Sequence, residues 1–153
     1  MNSRSEENYL KSIFALTQEN ESGASTNAIA EMLQTKASSV TDMVKRLAEK
    51  DLVFYNRYQG VTLTTAGHKI AISIVRKHRL WEVFLVEHLN FKWDEVHDIA
   101  EQLEHIRSQE LTNRLDAFLG NPQFDPHGDP IPDAEGNIYE RETKLLSELK
   151  KTE

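Results

Sequence analysis

Apolar positions recur with a helical period over most of the chain and alternate like a strand only briefly. Tyr9, Leu10, Ile13, Phe14 and Leu16 form a stripe across Asn8 to Thr17, and that spacing predicts an amphipathic helix. The polar run Glu19-Asn20-Glu21-Ser22-Gly23 breaks it. Ser25 or Thr26 then offers an N-cap to a short helix carrying Ala28, Ile29, Met32 and Leu33 on one face. A tight turn over Gln34-Thr35-Lys36-Ala37 leads into a third helix from about Ser38 to Lys50, with Val40, Met43, Val44 and Leu47 inward. The β-rich stretches Leu52 to Tyr55 and Val61 to Thr64 flank Asn56-Arg57-Tyr58-Gln59-Gly60, which predicts a hairpin.

The second half reads as helices again. Thr64 or Thr65 can cap a long helix that contains Gly67 early and continues through Ile70, Ile74, Val75, Trp81, Phe84, Leu85 and Leu89. Asp94 is the expected N-cap of the next helix, with Val96, Ile99, Ala100 and Leu103. Ser108 is expected to cap another, with Leu111, Leu115, Phe118 and Leu119 inward and Gly120 as its stop. All four prolines fall after Gly120, so Asn121 to Asn137 reads as non-helical, and Tyr139 to Glu153 as a polar short helix or tail. The fold class is mostly α with one small β-hairpin.

Helix, short helix, tight turn, helix and two-stranded hairpin is the order of a winged helix-turn-helix. The helix after the turn would enter a major groove, presenting Lys36, Ser38, Ser39 and Thr41 at its N-terminal end, with Lys45 and Arg46 beside the phosphates. Arg57 and Tyr58 sit at the wing tip, placed for backbone or minor-groove contact. Asp42 is the misfit on this face, since a carboxylate repels phosphate.

Charge sharpens that reading. The chain's net charge is −7, yet residues 36 to 79 hold nine Lys/Arg against three acids, a local +6 that leaves −13 elsewhere. A basic segment set against an acidic remainder suits a nucleic-acid face. There is no Cys, so thiolate metal sites and disulfides are excluded. No apolar run approaches the ~20 residues of a membrane span, and the first residues show no signal-peptide core. A cytoplasmic location without membrane contact is the expectation.

The stretch Val96 to His105 carries the densest chemistry. On a helix, His97, Glu101, Glu104 and His105 fall at i, i+4, i+7 and i+8 and share one face. His78 and Glu82 make a second i, i+4 pair on the long helix. A lone His-x₃-Glu is ordinarily a solvated face; two such helices packed together would converge six ligands. Carboxylates that close repel one another unless a divalent cation sits among them. Oxygen-rich donors with imidazole and no sulfur suit Mn²⁺ or Fe²⁺, with Zn²⁺, Co²⁺ or Ni²⁺ able to bind in vitro. His68 and His88 read as surface residues, and His127 as part of the proline-rich loop.

These residues resemble the diphtheria toxin repressor and manganese transport regulator family over about residues 6 to 132. The resemblance rests on Glu7-Asn8-Tyr9-Leu10, Ser38-Ser39-Val40-Thr41 and Leu63-Thr64-Thr65-Ala66-Gly67. It continues through Arg76-Lys77-His78-Arg79-Leu80-Trp81-Glu82, Val96-His97-Asp98 with Glu101-x-x-Glu104-His105, and Pro126-His127-Gly128-Asp129-Pro130-Ile131-Pro132. It implies a homodimeric, divalent-metal-activated repressor of metal-uptake or homeostasis genes, acting on a two-fold symmetric double-stranded operator, with no organic substrate. By motif, His78, Glu82 and His97 look like one metal site. Glu101, Glu104 and His105 look like the other, joined by Asn8. Iron-type members carry Met and Cys where this chain has Asn8 and Glu101; manganese-type members carry Asp and Glu, with a further Glu in place of Lys11. The pattern here is mixed, with Mn²⁺ slightly favoured.

The expected organisation is a winged-helix domain at 1–72, a helical metal-binding and dimerisation domain at 73–138 and a tail at 139–153, without the SH3-like third domain of many iron-type relatives. Metal would fix the spacing of two DNA heads in a dimer. Two other classes compete. A winged-helix regulator of a small organic ligand would make the His/Glu stripe incidental. A carboxylate-bridged dimetal enzyme would need a duplicated Glu-x-x-His, which is absent here, so no enzyme is expected.

Overall fold

Ser3 starts the first helix. Its hydroxyl accepts from the Glu6 amide at 3.1 Å, and Glu6 Oε1 accepts from the Ser3 amide at 3.0 Å, a reciprocal capping box. Helix α1 therefore runs Arg4–Glu19, beginning before the apolar stripe because its start is fixed by polar groups. Residues 2–20 and 22–138 are described by the computed structural model. The expected polar tail, 139–153, lies outside them.

Helix α2 spans Thr26–Leu33, with the Ser25 hydroxyl accepting from the Ala28 amide at 3.0 Å. Gln34, left-handed at φ 52°, ends it, and α3 follows over Ala37–Glu49. Strands β1 (Val53–Asn56) and β2 (Gly60–Leu63) pair antiparallel, Val53 opposite Leu63 and Asn56 opposite Gly60. A bridge from Ala24 to Val61, 2.8 Å in both directions, ties the sheet to the start of α2. Leu10, Ile13, Ile29, Val40, Val44, Leu47 and Val61 are fully enclosed among these elements. Met43 is only half-buried and Met32 is exposed. A helix-turn-helix with a two-stranded wing is the result.

Helix α4, Thr65–Leu89, is common to both compact units into which the chain divides, the first ending at Ile74 and the second beginning at Val75. Thr64 caps it: its Oγ1 accepts from the Gly67 amide at 3.0 Å and its carbonyl from the His68 amide at 2.8 Å. Gly67 is required by space, since a Cβ there would fall 1.9 Å from the Leu52 carbonyl oxygen.

In the second unit, α5 spans His97–Leu103 and α6 spans Gln109–Phe118. Asp94 does not cap α5. The chain first turns through a Glu95 amide to Lys92 carbonyl bond of 2.9 Å, which postpones the helix, and after Leu103 the segment leaves α-helix so that Glu104 and His105 lie in a turn. Ser108 does cap α6, accepting from the Leu111 amide at 3.1 Å. Leu80, Val83, Leu115 and Ile131 form a buried cluster, with Trp81, Phe84 and Leu119 packed on it. Leu111 and Phe118, expected inward, are exposed instead, because the inward face of their helix is the one that carries Thr112 and Leu115.

The proline-rich segment is held from within. Asp125 Oδ1 accepts from the His127 amide at 2.9 Å and the Asp129 amide at 2.8 Å, an Asx-type turn that needs no periodic structure. Ile131 and Asp125 are buried, so this loop contributes side chains to the unit's interior.

Candidate metal centre and nucleic-acid interface

Helix α4 places His78 and Glu82 one turn apart, and both are buried, Glu82 almost completely. Glu82 Oε1 lies 3.3 Å from His78 Nε2. On the other side of the ring, Glu104 Oε2 lies 3.5 Å from His78 Nδ1. A neutral imidazole has one N–H. One of the two carboxylates therefore meets a ring lone pair unless the ring is protonated or an ion intervenes. His97, at the first residue of α5, brings its ring centroid within 5.1 Å of the His78 ring, and ligand atoms of His78, Glu82 and His97 lie within 4.8 Å of one another. The donor set is imidazole and carboxylate, all suited to a borderline or hard divalent ion.

Glu104 is fully enclosed and also lies 3.9 Å from His105 Nε2. Glu101 sits on the exposed face of α5, 2.9 Å from His97 Nε2, and groups with His97 and Asp98. The stripe expected on one helical face is thus divided along its length: its N-terminal members are open to solvent, while Glu104 is enclosed beyond the helix end. Asn8 stands half-buried on α1 in the first unit.

Asp125 and His127 were not among the expected ligands. His127 Nδ1 lies 3.2 Å from Glu82 Oε2 and 3.8 Å from Asp125 Oδ2, and these three side chains form a second group with ligand atoms within 4.8 Å. Glu82 Oε2 is buried without a hydrogen bond. Desolvation alone would raise the Glu82 carboxyl, but the hydrogen bond and charge of His78, with Asp125 and His127, outweigh it and hold the group below its usual range. Burial pushes Asp125 up to about 6, against its bond from the Asp129 amide, and the negative charges of Glu82 and Asp129 push the same way. A cation at this place would remove that opposition. A sequence signal for His127 was present in Pro126-His127-Gly128-Asp129-Pro130, which does not include Asp125, and only the fold of the loop turns the two toward α4.

The nucleic-acid candidates stand on the first unit. Lys36, Ser38 and Ser39 are exposed at the start of α3, Lys45 and Arg46 are exposed further along, and Arg57 and Tyr58 are exposed at the hairpin tip. Thr41 is half-buried, its hydroxyl donating back to the Ala37 carbonyl at 3.1 Å. Lys36 is the N-cap residue of α3 and makes no side-chain cap hydrogen bond, since an ammonium only donates and cannot accept the helix's first amides. Three cations counted into the basic segment belong elsewhere. Arg76 donates to Asn113 Oδ1 at 3.1 Å and Asp116 Oδ2 at 2.9 Å, Lys77 Nζ to the Ile106 carbonyl at 3.2 Å, and Arg79 to the Pro130 carbonyl. These hydrogen bonds all lie within the second unit.

Among the described residues, no helix is long and apolar enough to cross a membrane. Residues 1–61 match the iron-dependent repressor N-terminal DNA-binding domain, and residues 64–133 match the iron-dependent repressor metal-binding and dimerisation domain. The chain is 36% identical over 126 residues to the iron-dependent repressor IdeR of Mycobacterium leprae, covering 82% of this chain and 54% of that protein. It is 38% identical over 117 residues to an HTH-type transcriptional regulator of Methanocaldococcus jannaschii, covering 76% of this chain and 94% of that one. A solved manganese-dependent transcriptional repressor in complex with manganese superposes with a TM-score of 0.78 at 46% identity, over 86% of this chain and 60% of that one. The chain thus spans little more than half of the mycobacterial relative. The matched domains, the helix-turn-helix with its wing and the buried His/carboxylate centre converge: the chain belongs to the iron-dependent repressor family.

Proposed function

We propose that this protein is a transcriptional repressor that binds a two-fold symmetric operator as a homodimer when loaded with Mn²⁺ or Fe²⁺. The observation that carries the reading is His78, buried with one carboxylate against each ring nitrogen, Glu82 at 3.3 Å and Glu104 at 3.5 Å. Neither a hydrophobic core nor a solvated face has a use for that arrangement, whereas a divalent ion neutralises it. His78, Glu82 and His97 hold one ion. Glu101, Glu104 and His105 supply the second site, with Asn8 assigned by motif. The absence of sulfur donors favours Mn²⁺ or Fe²⁺ over a thiophilic ion.

The exposed start of α3 reads the major groove through Lys36, Ser38, Ser39 and Thr41. Lys45 and Arg46 meet phosphates, and the wing brings Arg57 and Tyr58. The proposed domain limits are 1–72 and 73–138, beside a division of the chain into compact units between Ile74 and Val75. The role is binding rather than catalysis: the centre acts by changing operator affinity. A tenfold gain on metal loading needs only about 1.4 kcal/mol of coupling, a small part of what a metal site supplies.

The test is selection of duplexes from a random-sequence library with Mn²⁺ and again with chelator. Enrichment of a two-fold symmetric sequence with Mn²⁺ alone is expected. Equal enrichment in chelator defeats the metal switch, and no enrichment in either defeats operator recognition.

A further inference from the structure

The proline-rich loop faces α4 with a second set of donors, and Glu82 lies between the two sets. Its Oε1 is directed at His78 Nε2 (3.3 Å) and its Oε2 at His127 Nδ1 (3.2 Å). We propose that Glu82 is a bridging carboxylate and that Oε2, Asp125 Oδ2 and His127 Nδ1 hold a further divalent ion beside the one on His78 and His97. This rests on the preceding assignment of His78, Glu82 and His97.

Three features point to an ion rather than to an ordinary hydrogen-bond network. The first is the tautomer of His127. Its Nε2 lies 2.8 Å from the Trp93 carbonyl oxygen, which can only accept, so Nε2 carries the proton. In the neutral ring Nδ1 then presents a lone pair to two carboxylate oxygens. A histidine whose far N–H is held by a backbone carbonyl, with the near nitrogen free to donate electrons, is the usual arrangement of a metal ligand. The second is the division of labour within Asp125. Oδ1 takes both loop amides, at 2.9 and 2.8 Å, which leaves Oδ2 facing His127 from a side chain that is 2% exposed. The third is Glu82 itself. It is 1% exposed, and its Oε2 meets no N–H donor, only the Asp125 carboxyl and the near nitrogen of His127. A buried carboxylate oxygen without a donor is costly unless something positive comes to it.

The donors are two carboxylates and one imidazole, with no sulfur, so the ion is of the same class as its neighbour, Mn²⁺ or Fe²⁺, with water completing its shell. The consequence is structural as well as chemical. Asp125 and His127 belong to the loop and Glu82 to α4, so the ion fastens the one to the other.

The full chain, stripped with chelator and then saturated with Mn²⁺, is dialysed against a low free Mn²⁺ concentration, and bound ions are counted by elemental analysis. His127→Gln is expected to hold one ion fewer per chain than the wild type, and Asp125→Asn likewise, while Glu82→Gln loses more than either because it serves both ions. An unchanged count in both loop variants overturns the proposal and leaves the site on His78 and His97 intact. A wild-type chain that holds no ion at all overturns that site as well. Because either loop variant can fail to fold, the wild type is also loaded with ¹¹³Cd²⁺. A long-range coupling between the metal and the His127 ring protons is expected through Nδ1. Its absence at saturation, with couplings to His78 and His97 present, refutes the loop ion.

Discussion

Glu104, completely enclosed, sets its Oε2 3.5 Å from His78 Nδ1. Together with Glu82 on the opposite nitrogen, this makes His78 the hinge of the centre's electrostatics. Removing the ring leaves two buried carboxylates with neither an imidazole nor an ion between them. His78→Ala is therefore expected to destabilise the metal-free protein by about 1–3 kcal/mol. Metal should also lose its effect: an ion at a hundredfold its dissociation constant stabilises the native state by about 2.7 kcal/mol, and most of that shift should vanish. Thermal melts of both proteins in chelator and in excess Mn²⁺ report both quantities. An equal Mn²⁺-induced rise in melting temperature for variant and wild type would exclude His78 as a ligand.

Lys45 and Arg46 are both exposed on α3, and phosphate contact is the role proposed for them. Such contacts are paid back by counterion release and carry no sequence information. Lys45→Ala and Arg46→Ala should each weaken binding to specific and non-specific duplexes alike, and each should lower the slope of log affinity against log salt by about 1. Ser39→Ala, at the groove-facing end, should instead weaken the specific duplex more. Binding curves at several salt concentrations separate these cases. A loss confined to the specific sequence in the lysine and arginine variants would place those side chains on bases.

Glu6 and Lys50 tie the two ends of the helix-turn-helix together, with Oε2 2.6 Å from Nζ. Burial acts to raise the Glu6 carboxyl, but the Lys50 bond and charge and the Ser3 groups outweigh it, and its pKa lies below the usual 4.5. A carboxyl with a depressed folded-state pKa contributes stability above its unfolded pKa and loses it as pH falls through the folded value. Lys50→Met should therefore lower stability at neutral pH by about 1 kcal/mol, a modest figure because Lys50 is partly exposed. The difference from wild type should shrink below pH 4.5 and close under strongly acidic conditions. Urea melts across that range measure it. A difference that stays constant with pH would show that Lys50 contributes through its alkyl stem alone.

The helix-turn-helix, the hairpin and the long α4 were legible in the sequence because each has a local cause. Apolar spacing sets the helices, Ser25 and Ser108 accept the amides that start two of them, and Asn56 to Gly60 turns the hairpin. The metal centre was legible only in part. His78 and Glu82 are neighbours by helical period, and His97 joins them as expected from its motif. Asp125 and His127 are brought in by a loop whose shape depends on amides accepted by Asp125 itself, and no periodicity announces that. The charge count misled for a related reason. Arg76, Lys77 and Arg79 are the last cations of the basic segment in sequence, but the period of α4 turns them to acceptors in the second unit, where they serve packing and not DNA. A glycine early in α4 has no local cause in the sequence, and the close approach of the Leu52 carbonyl explains Gly67.

Phe118 is 64% exposed at the end of α6, with the His88 ring 4.8 Å and the Phe84 ring 6.3 Å from its own. Leu111, about two turns earlier on the same face of α6, and Leu89 on α4 are exposed as well. Large apolar side chains grouped on one unit cost solvation free energy unless a partner covers them, and a homodimer is the partner proposed here. Burying a phenylalanine side chain contributes about 1.5–3 kcal/mol, and a two-fold interface uses each such residue twice. Phe118→Asp should therefore shift the protein from dimer to monomer at micromolar concentration, with its helix content unchanged because the side chain lies outside the buried cluster. Light scattering after size exclusion measures the mass, and circular dichroism checks the fold. The monomer should also lose most operator affinity, since each half-site then binds alone. A folded Phe118→Asp protein that remains dimeric at the same concentration would move the interface away from this end of α6.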